Sequence, residues 1–283
     1  MEKRCVSKAF FFQARHDFKQ GIFCRWPQYL PAVLLFLIEC LSLQAAIAAE
    51  QRVTSGYPGA SMADYFLFLF RGVEKYVPTP ESIFNIPILW LAPHLYLGYL
   101  VGYYPLRDLS GFGQQILLRA QNRSAWWLSK CLWNGLSVAA FYLIGALTIF
   151  TFMICMGNFH FTPTAEIILN QCSISASPLS ARAVFIAAVI LPLLSSLALS
   201  LLQMLLAFLL KPIFGYLIIS CFLLFSVCIE SPFFLGNGLM AIRSELITSG
   251  GLSFIDTALF SVVVVVFSIV AGNCYLKRYD ILH

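Results

Sequence analysis

From Ala183 to Ile229 the chain runs forty-seven residues with a single charged side chain, Lys211. As one α-helix rising 1.5 Å per residue, that stretch would be roughly 70 Å long. A bilayer's hydrocarbon core is only about 30 Å thick and takes about 20 mostly apolar residues per crossing. One straight span is therefore excluded. Lys211-Pro212, near the middle, supplies a polar corner and a residue that interrupts helix hydrogen bonding. The stretch predicts two antiparallel spans, about 183–210 and 213–229, with a reversal between them.

The remainder repeats the pattern. Hydrophobic residues make up 60% of the 283 and charged residues 11%, where a soluble domain has about 25% charged. So little charge cannot keep a chain of this size in water, but a bilayer removes the need. Four further apolar runs read as spans, at about 29–49, 83–104, 132–156 and 257–273. Pro87 and Pro93 interrupt the second, where a kink is expected. Gly98-x-x-x-Gly102 offers a close-packing face. The expected fold is an all-α integral membrane protein of six transmembrane helices occupying 29–283.

Charge orders the loops. Segments 1–28, 105–130, 211–212 and 274–283 hold thirteen Lys and Arg, while 50–82, 157–182 and 230–256 hold five. Basic loops stay cytoplasmic. Both termini are thus expected in the cytoplasm, with the chain multi-pass in the cell (plasma) membrane. The basic residues flank spans, which speaks for the lipid bilayer and against nucleic acid as the partner. Ala45-Ala46-Ile47-Ala48-Ala49-Glu50 looks like a signal-cleavage site. The 28-residue polar head and the long apolar run fit a retained first span better.

Residues 1–28 mix six basic residues with Phe10, Phe11, Phe12, Phe18, Phe23 and Trp26. That composition predicts an N-terminal amphipathic interfacial helix. In the loop 50–82, Ser61 can cap a short helix to about Val77. Its apolar centre, 65–70, is too short to cross, so it should lie on the outer surface or pack on the bundle. In 230–256, an apolar segment broken by Gly236-Asn237-Gly238 suits a re-entrant or surface turn before the sixth span. The nine cysteines imply no disulfide framework. Cys40, Cys155, Cys221, Cys228 and Cys274 lie in or near apolar runs and read as packing residues, whereas Cys172 falls in an outer loop.

No enzyme signature is present. The chain lacks G-x-x-x-x-G-K-[ST], H-E-x-x-H and G-x-S-x-G. The four histidines have no metal-ligand spacing. No catalytic residue, metal or cofactor is expected on the chain. His94, beside Pro93, reads either as a substrate or proton contact or as a donor to a carbonyl freed by the proline. Glu39 is the one carboxylate deep in a span, where ionisable groups face the bundle interior or a cavity. It reads as a cavity-lining residue, or as a neutral packing group bonded to Gln203 or Gln44. Glu230 reads as an interfacial carboxylate or as part of an outer gate.

The loop 105–130 carries Arg107, Asp108, Arg119, Arg123 and Lys130, with helical composition over 114–125. Trp126 and Trp127 with Lys130 read as anchors at the membrane interface. The run Arg119-Ala-Gln-Asn-Arg123-Ser-Ala-Trp126-Trp127-Leu-Ser-Lys130 is similar to a basic pattern of the ABC-2 type permease family, the membrane half of many bacterial exporters. The closing Tyr275-Leu-Lys277-Arg278-Tyr-Asp280 resembles the end of such subunits. The sequence likeness covers about 25 residues, and the organisation matches over nearly the whole chain. The resemblance implies a cytoplasmic coupling helix between spans two and three, docking on a separate ABC ATPase through Asp108, Gln114, Gln115, Arg119 and Arg123. ATP and Mg would be bound by that partner. The pathway would lie between this chain and a second copy of itself or a paralogous permease, and would carry a peptide, lipid or drug-like substrate outward. The alternatives are an ATP-independent transporter or channel, and a membrane scaffold subunit without transport activity.

Overall fold

A computed structural model of the chain describes residues 2–76, 86–111, 113–115, 117, 122–157, 159–174 and 179–278, with side chains from Phe10 onward. In chain order the helices are α1 (Glu2–Asp17), α2 (Leu30–Val53), α3 (Met62–Phe70), α4 (Ile88–Gly102), α5 (Tyr104–Leu109), α6 (Arg123–Met156), α7 (Ala165–Cys172), α8 (Ala181–Leu209), α9 (Pro212–Cys228) and α10 (Phe254–Arg278). A π-turn and a 3-10 turn, kinked at Arg25, join α1 to α2. Among the described residues there is no β-strand, only an isolated bridge between Ser244 and Leu252. Four segments are long and apolar enough to cross a membrane: Phe10–Val53, Arg123–Met156, Ala181–Leu209 and Phe254–Arg278. Helix α9 is apolar but shorter.

Helix α8 is the central post. In its most apolar window 61% of residues are buried, against 17% for α10, which shows most of its surface to the surroundings. In lipid, apolar burial does not drive helices together, so polar ties and small residues must do it. Helix α8 supplies them along one stripe. Ser195 bonds Ser261 of α10 (3.2 Å), Ser196 bonds Tyr142 of α6 (2.8 Å), and Ser200 donates to Asn134 of α6 (2.6 Å). Gln203 donates to the Gly98 carbonyl of α4 (2.8 Å). Such interhelical bonds contribute about 0.6 kcal/mol each on average. The glycine pair in α4 makes the last one geometrically possible, since a Cβ on Gly102 would lie 2.8 Å from the Gln203 amide nitrogen.

The reversal expected at Lys211-Pro212 is present. Helix α8 ends at Leu209 and α9 starts at Pro212. Lys211 takes φ +136°, a conformation L-residues rarely adopt. Gly215 then packs on the α8 backbone, where a Cβ would sit 2.9 Å from the Ala207 nitrogen.

Ser61 caps α3 as the sequence predicts. Its hydroxyl accepts from the Asp64 N–H (3.2 Å), and Asp64 accepts from the Ser61 N–H (2.8 Å), a reciprocal capping box. The helix ends at Phe70 and packs on the bundle, with Tyr65, Leu67 and Phe70 buried against α2, α6 and α8. Asp64 also receives the Thr164 N–H (2.9 Å) and so ties α7 to α3. Cys172, expected in a loop, ends α7 and is buried, and that burial pushes its thiol up to about 12.

Helix α6 begins at Arg123, well before the expected start of its span. Trp126 and Trp127 are thereby drawn into the protein, each only 1% exposed. This corrects the expectation that they anchor at a lipid interface. Trp127 donates to the Ile269 carbonyl of α10 (2.9 Å), and both indoles meet Phe208 edge-on at 5.9 and 5.5 Å. Gly272 lets the Trp127 ring lie on α10, because any Cβ there would collide with the indole. Gly272→Ala is expected to lower stability by about 1–3 kcal/mol through overpacking. Thermal melting of the purified protein in mild detergent checks this, and an unchanged midpoint would show that α6 and α10 are not apposed.

Candidate functional site

The ends of the helices sort into two groups. One end gathers Asp17, Asp108, Arg123, Lys130, Phe208 and Leu276. It is the end rich in Lys and Arg. The opposite end gathers the segments around Asp64, Arg71, Gln171 and Arg243.

The centre of the basic end is a buried cluster. Lys130 is 1% exposed and sits between two carboxylates, Asp17 from α1 and Asp108 from α5. Its ammonium donates to both, at 2.6 Å for Asp108. Asp17 also receives the Ser129 and Tyr104 hydroxyls, the latter at 2.9 Å. The Lys130 ammonium lies 4.8 Å from the Tyr104 ring centre and 5.0 Å from the Trp126 ring. His16 approaches Asp108 at 3.6 Å. A glycine at 113 is required here, because a Cβ would strike the Asp108 side chain. Lys130 is therefore an interior counter-ion rather than an interface anchor. A charge removed from water needs partners close by, and α1 and α5 each supply one.

This explains how α1 docks. Gln13, Asp17 and Gly21 are buried and spaced i, i+4, i+8, so they form one stripe that faces α6. Gly21 admits the Trp133 ring. Phe11, Phe12, Phe18, Phe23 and Trp26 remain exposed.

The residues expected to dock a partner divide by exposure. Arg123 donates to the carbonyls of Leu276 (3.2 Å) and Lys277 (3.1 Å), so it closes the end of α10. Asp108 is held by Lys130. Gln114 is half-buried, whereas Arg107 and Gln115 are exposed. Arg119 and residues 118–121 lie outside the described residues. An open cavity of about 460 Å3 beside them is lined by His16, Gln20, Arg25, Tyr104, Arg107 and Asp108.

The expected cavity or gate residues separate as well. Glu39, in α2, is 3% exposed and lines a cavity of about 350 Å3 with Phe68, Arg71, Leu89 and Trp90. Among the described residues neither expected partner bonds it: the Gln44 Oε1 accepts from Tyr65 (2.8 Å), and the Gln203 Nε2 donates to the Gly98 carbonyl. His94 pairs through Nδ1 with the Trp90 carbonyl of its own helix (2.7 Å), whereas the carbonyl that Pro93 leaves without its helical donor is that of Leu89. Among the described residues the His94 Nε2 and the Gln203 Oε1 have no partner, and both residues line a small cavity of about 20 Å3. That volume suits one water, since about 10–15 Å3 is the minimum. Glu230 is exposed and lines a shallow cavity with Glu74, Lys75 and Arg243.

Sequence reading missed Arg243. It is 3% exposed and donates to the carbonyls of Ser226, Val227 (2.8 Å) and Ile229 (3.3 Å), the free acceptors at the end of α9. It also reaches Asn237 and the carbonyls of Val73 (3.1 Å) and Glu74 (3.3 Å). Burial pulls its guanidinium below the usual range, opposed by the charge of Glu230. The turns Leu235–Leu239 and Ala241–Arg243 are buried in the bundle beside it, with Trp90 donating to the Leu239 carbonyl (3.0 Å).

Long apolar helices, polar ties facing inward and a buried ion cluster at one end define an all-helical integral membrane protein. Residues 32–282 match the family model described as "Protein of unknown function (DUF2705)", and the chain belongs to that family. No curated protein and no solved structure matches it.

Proposed function

We propose that the chain is the membrane-spanning subunit of an ABC-type exporter, crossing the cell membrane six times with both termini in the cytoplasm. A separate ATPase binds ATP and Mg, and a second copy or a paralogous permease completes the pathway. The shorter helices α4 and α9 complete the six crossings. Helix α1 lies in the cytoplasmic interface with its aromatic residues in lipid, and the turns at 235–243 form a re-entrant element on the outer side.

One observation carries this reading: the basic segments converge at one end on the Lys130–Asp17–Asp108 cluster. The cluster locks α5 to α6 and α1. A push on the loop that follows α5 is then passed to spanning helices instead of being lost in a flexible connector. Arg107 on α5 and Gln115 in that loop are the exposed contacts, with Asp108 and Arg123 as positioning residues behind them.

The test is affinity purification of the tagged chain from its native membranes in mild detergent. An ATPase subunit is expected to co-purify. The paired change Arg107→Glu and Gln115→Glu is expected to weaken that association at least about tenfold, as a rim charge reversal does, with thermal melting unchanged. Full transport by the chain without an ATPase would overturn the proposal. The Glu39 cavity supports a second reading, an ATP-independent transporter, in which Glu39→Gln abolishes flux by the chain alone in liposomes.

A further inference from the structure

Glu39 is 97% removed from the surface, yet among the described residues its carboxylate has no hydrogen-bond or ion-pair partner. Every other buried acid has one. Asp17 has Lys130, Ser129 and Tyr104, and Asp64 has two backbone N–H groups. Buried ionisable groups without partners are costly in a membrane and mark functional positions. Glu39 faces a cavity of about 350 Å3, within the usual range of about 300–1,000 Å3 for small-molecule sites.

Glu39 and Trp90 both line the cavity. The Trp90 N–H is committed to the Leu239 carbonyl and its ring also meets His94 (5.2 Å), so it is the ring and not the donor that the indole can offer a ligand. Arg71 lines the cavity too, with its guanidinium donating to the Gln171 carbonyl and lying 4.9 Å above the Phe68 ring, so part of its donor set and one face are engaged within the protein. The rim is apolar: Ile86, Ile88 and Leu89 are all exposed. A rim of that kind on a spanning helix admits an alkyl chain from the bilayer side.

We propose that this cavity binds amphiphiles bearing a single ammonium group, the cation paired with Glu39 and seated against the Trp90 ring, the alkyl tail along Ile86, Ile88 and Leu89. An ammonium satisfies the lone carboxylate, and an aromatic face adds cation–π attraction. An anionic headgroup would meet the ionised Glu39 as a like charge, and a neutral hydroxyl could donate one hydrogen bond but supply no counter-charge. The inference names a substrate class for the proposed exporter, but the binding step belongs to this chain alone.

The experiment uses the full chain in nanodiscs of neutral lipid, without any ATPase. Dicyclohexylcarbodiimide, which modifies carboxyls in apolar surroundings, is expected to label Glu39, read by mass spectrometry of the peptide. Dodecyltrimethylammonium is expected to protect Glu39, and dodecanol and laurate are not. Quenching of tryptophan fluorescence gives the affinity, which should fall at least about tenfold in Glu39→Gln, as expected when one partner of a buried charge pair is removed. Equal protection by dodecanol, or unchanged affinity in Glu39→Gln, would overturn the proposal. Should that variant fail to fold, the protection pattern in the native chain decides alone. Selective protection with no ATPase co-purifying leaves the site standing and removes the exporter. Co-purification without selective protection does the reverse.

Discussion

Lys130→Met is expected to destabilise the protein by about 3–5 kcal/mol, the cost of breaking a buried ion pair from one side. Methionine matches the length of the lysine stem, so the loss is of charge and not of packing. Asp17 and Asp108 would lose the one ammonium that bonds both, keeping the Ser129 and Tyr104 hydroxyls and His16, with Arg25 and Arg107 in the adjoining open cavity. Two uncompensated carboxylates cost more than one lost bond. Asp17→Asn should therefore be milder, because Lys130 keeps Asp108 at 2.6 Å, and the new amide keeps one acceptor for Tyr104 or Ser129 while its NH2 can donate to the other hydroxyl. The expected order of thermal midpoints is native, then Asp17→Asn, then Lys130→Met. Limited proteolysis adds a local readout: α1 should become cleavable in Lys130→Met before the spanning helices do. Equal stability of Lys130→Met and the native chain would show that α1 is not held by this cluster.

Arg243→Met is expected to be about as damaging at the other end, also about 3 kcal/mol or more. Its guanidinium gathers carbonyls from the end of α9 and from Val73 and Glu74, so its loss strands several buried acceptors at about 1–3 kcal/mol each. Arg243→Lys should recover part of the loss. An ammonium keeps the charge beside the helix terminus but has three donors where guanidinium has five in a fixed fork. Hydrogen exchange should show protection lost over residues 226–243 and kept at α6 and α8. Uniform loss over all helices would contradict a local cap.

How far the sequence foretold this structure depends on whether the signal was local. The reversal at Lys211-Pro212 was legible because a 47-residue stretch with a single charge, as one helix, exceeds any bilayer. The α3 cap was legible because Ser61 and Asp64 lie three apart in one turn. The interior positions of Trp126, Trp127 and Lys130 were not. Tryptophan and lysine at a span end usually face the interface, and only distant Phe208, Gly272 and Asp17 draw them inside. A hint existed in Gln13, Asp17 and Gly21, small or uncharged positions and one acid on a single face of an otherwise basic and aromatic helix. Arg243 offered no local sign, since its acceptors come from residues far along the chain. Gln203 was legible as an interior polar group but not as the partner of Gly98, whose carbonyl lies 105 residues away in the chain.

Coupling to an ATPase requires the Lys130 cluster to face the cytoplasm. The direct measurement is labelling of single cysteines with a membrane-impermeant maleimide in a cysteine-free background, one at Gln115 beside the cluster and one at Gly56 at the opposite end. In intact cells Gly56→Cys should label at once and Gln115→Cys only after the membrane is opened. Labelling of Gln115→Cys from outside would contradict the account, because no ATPase could then reach the loop.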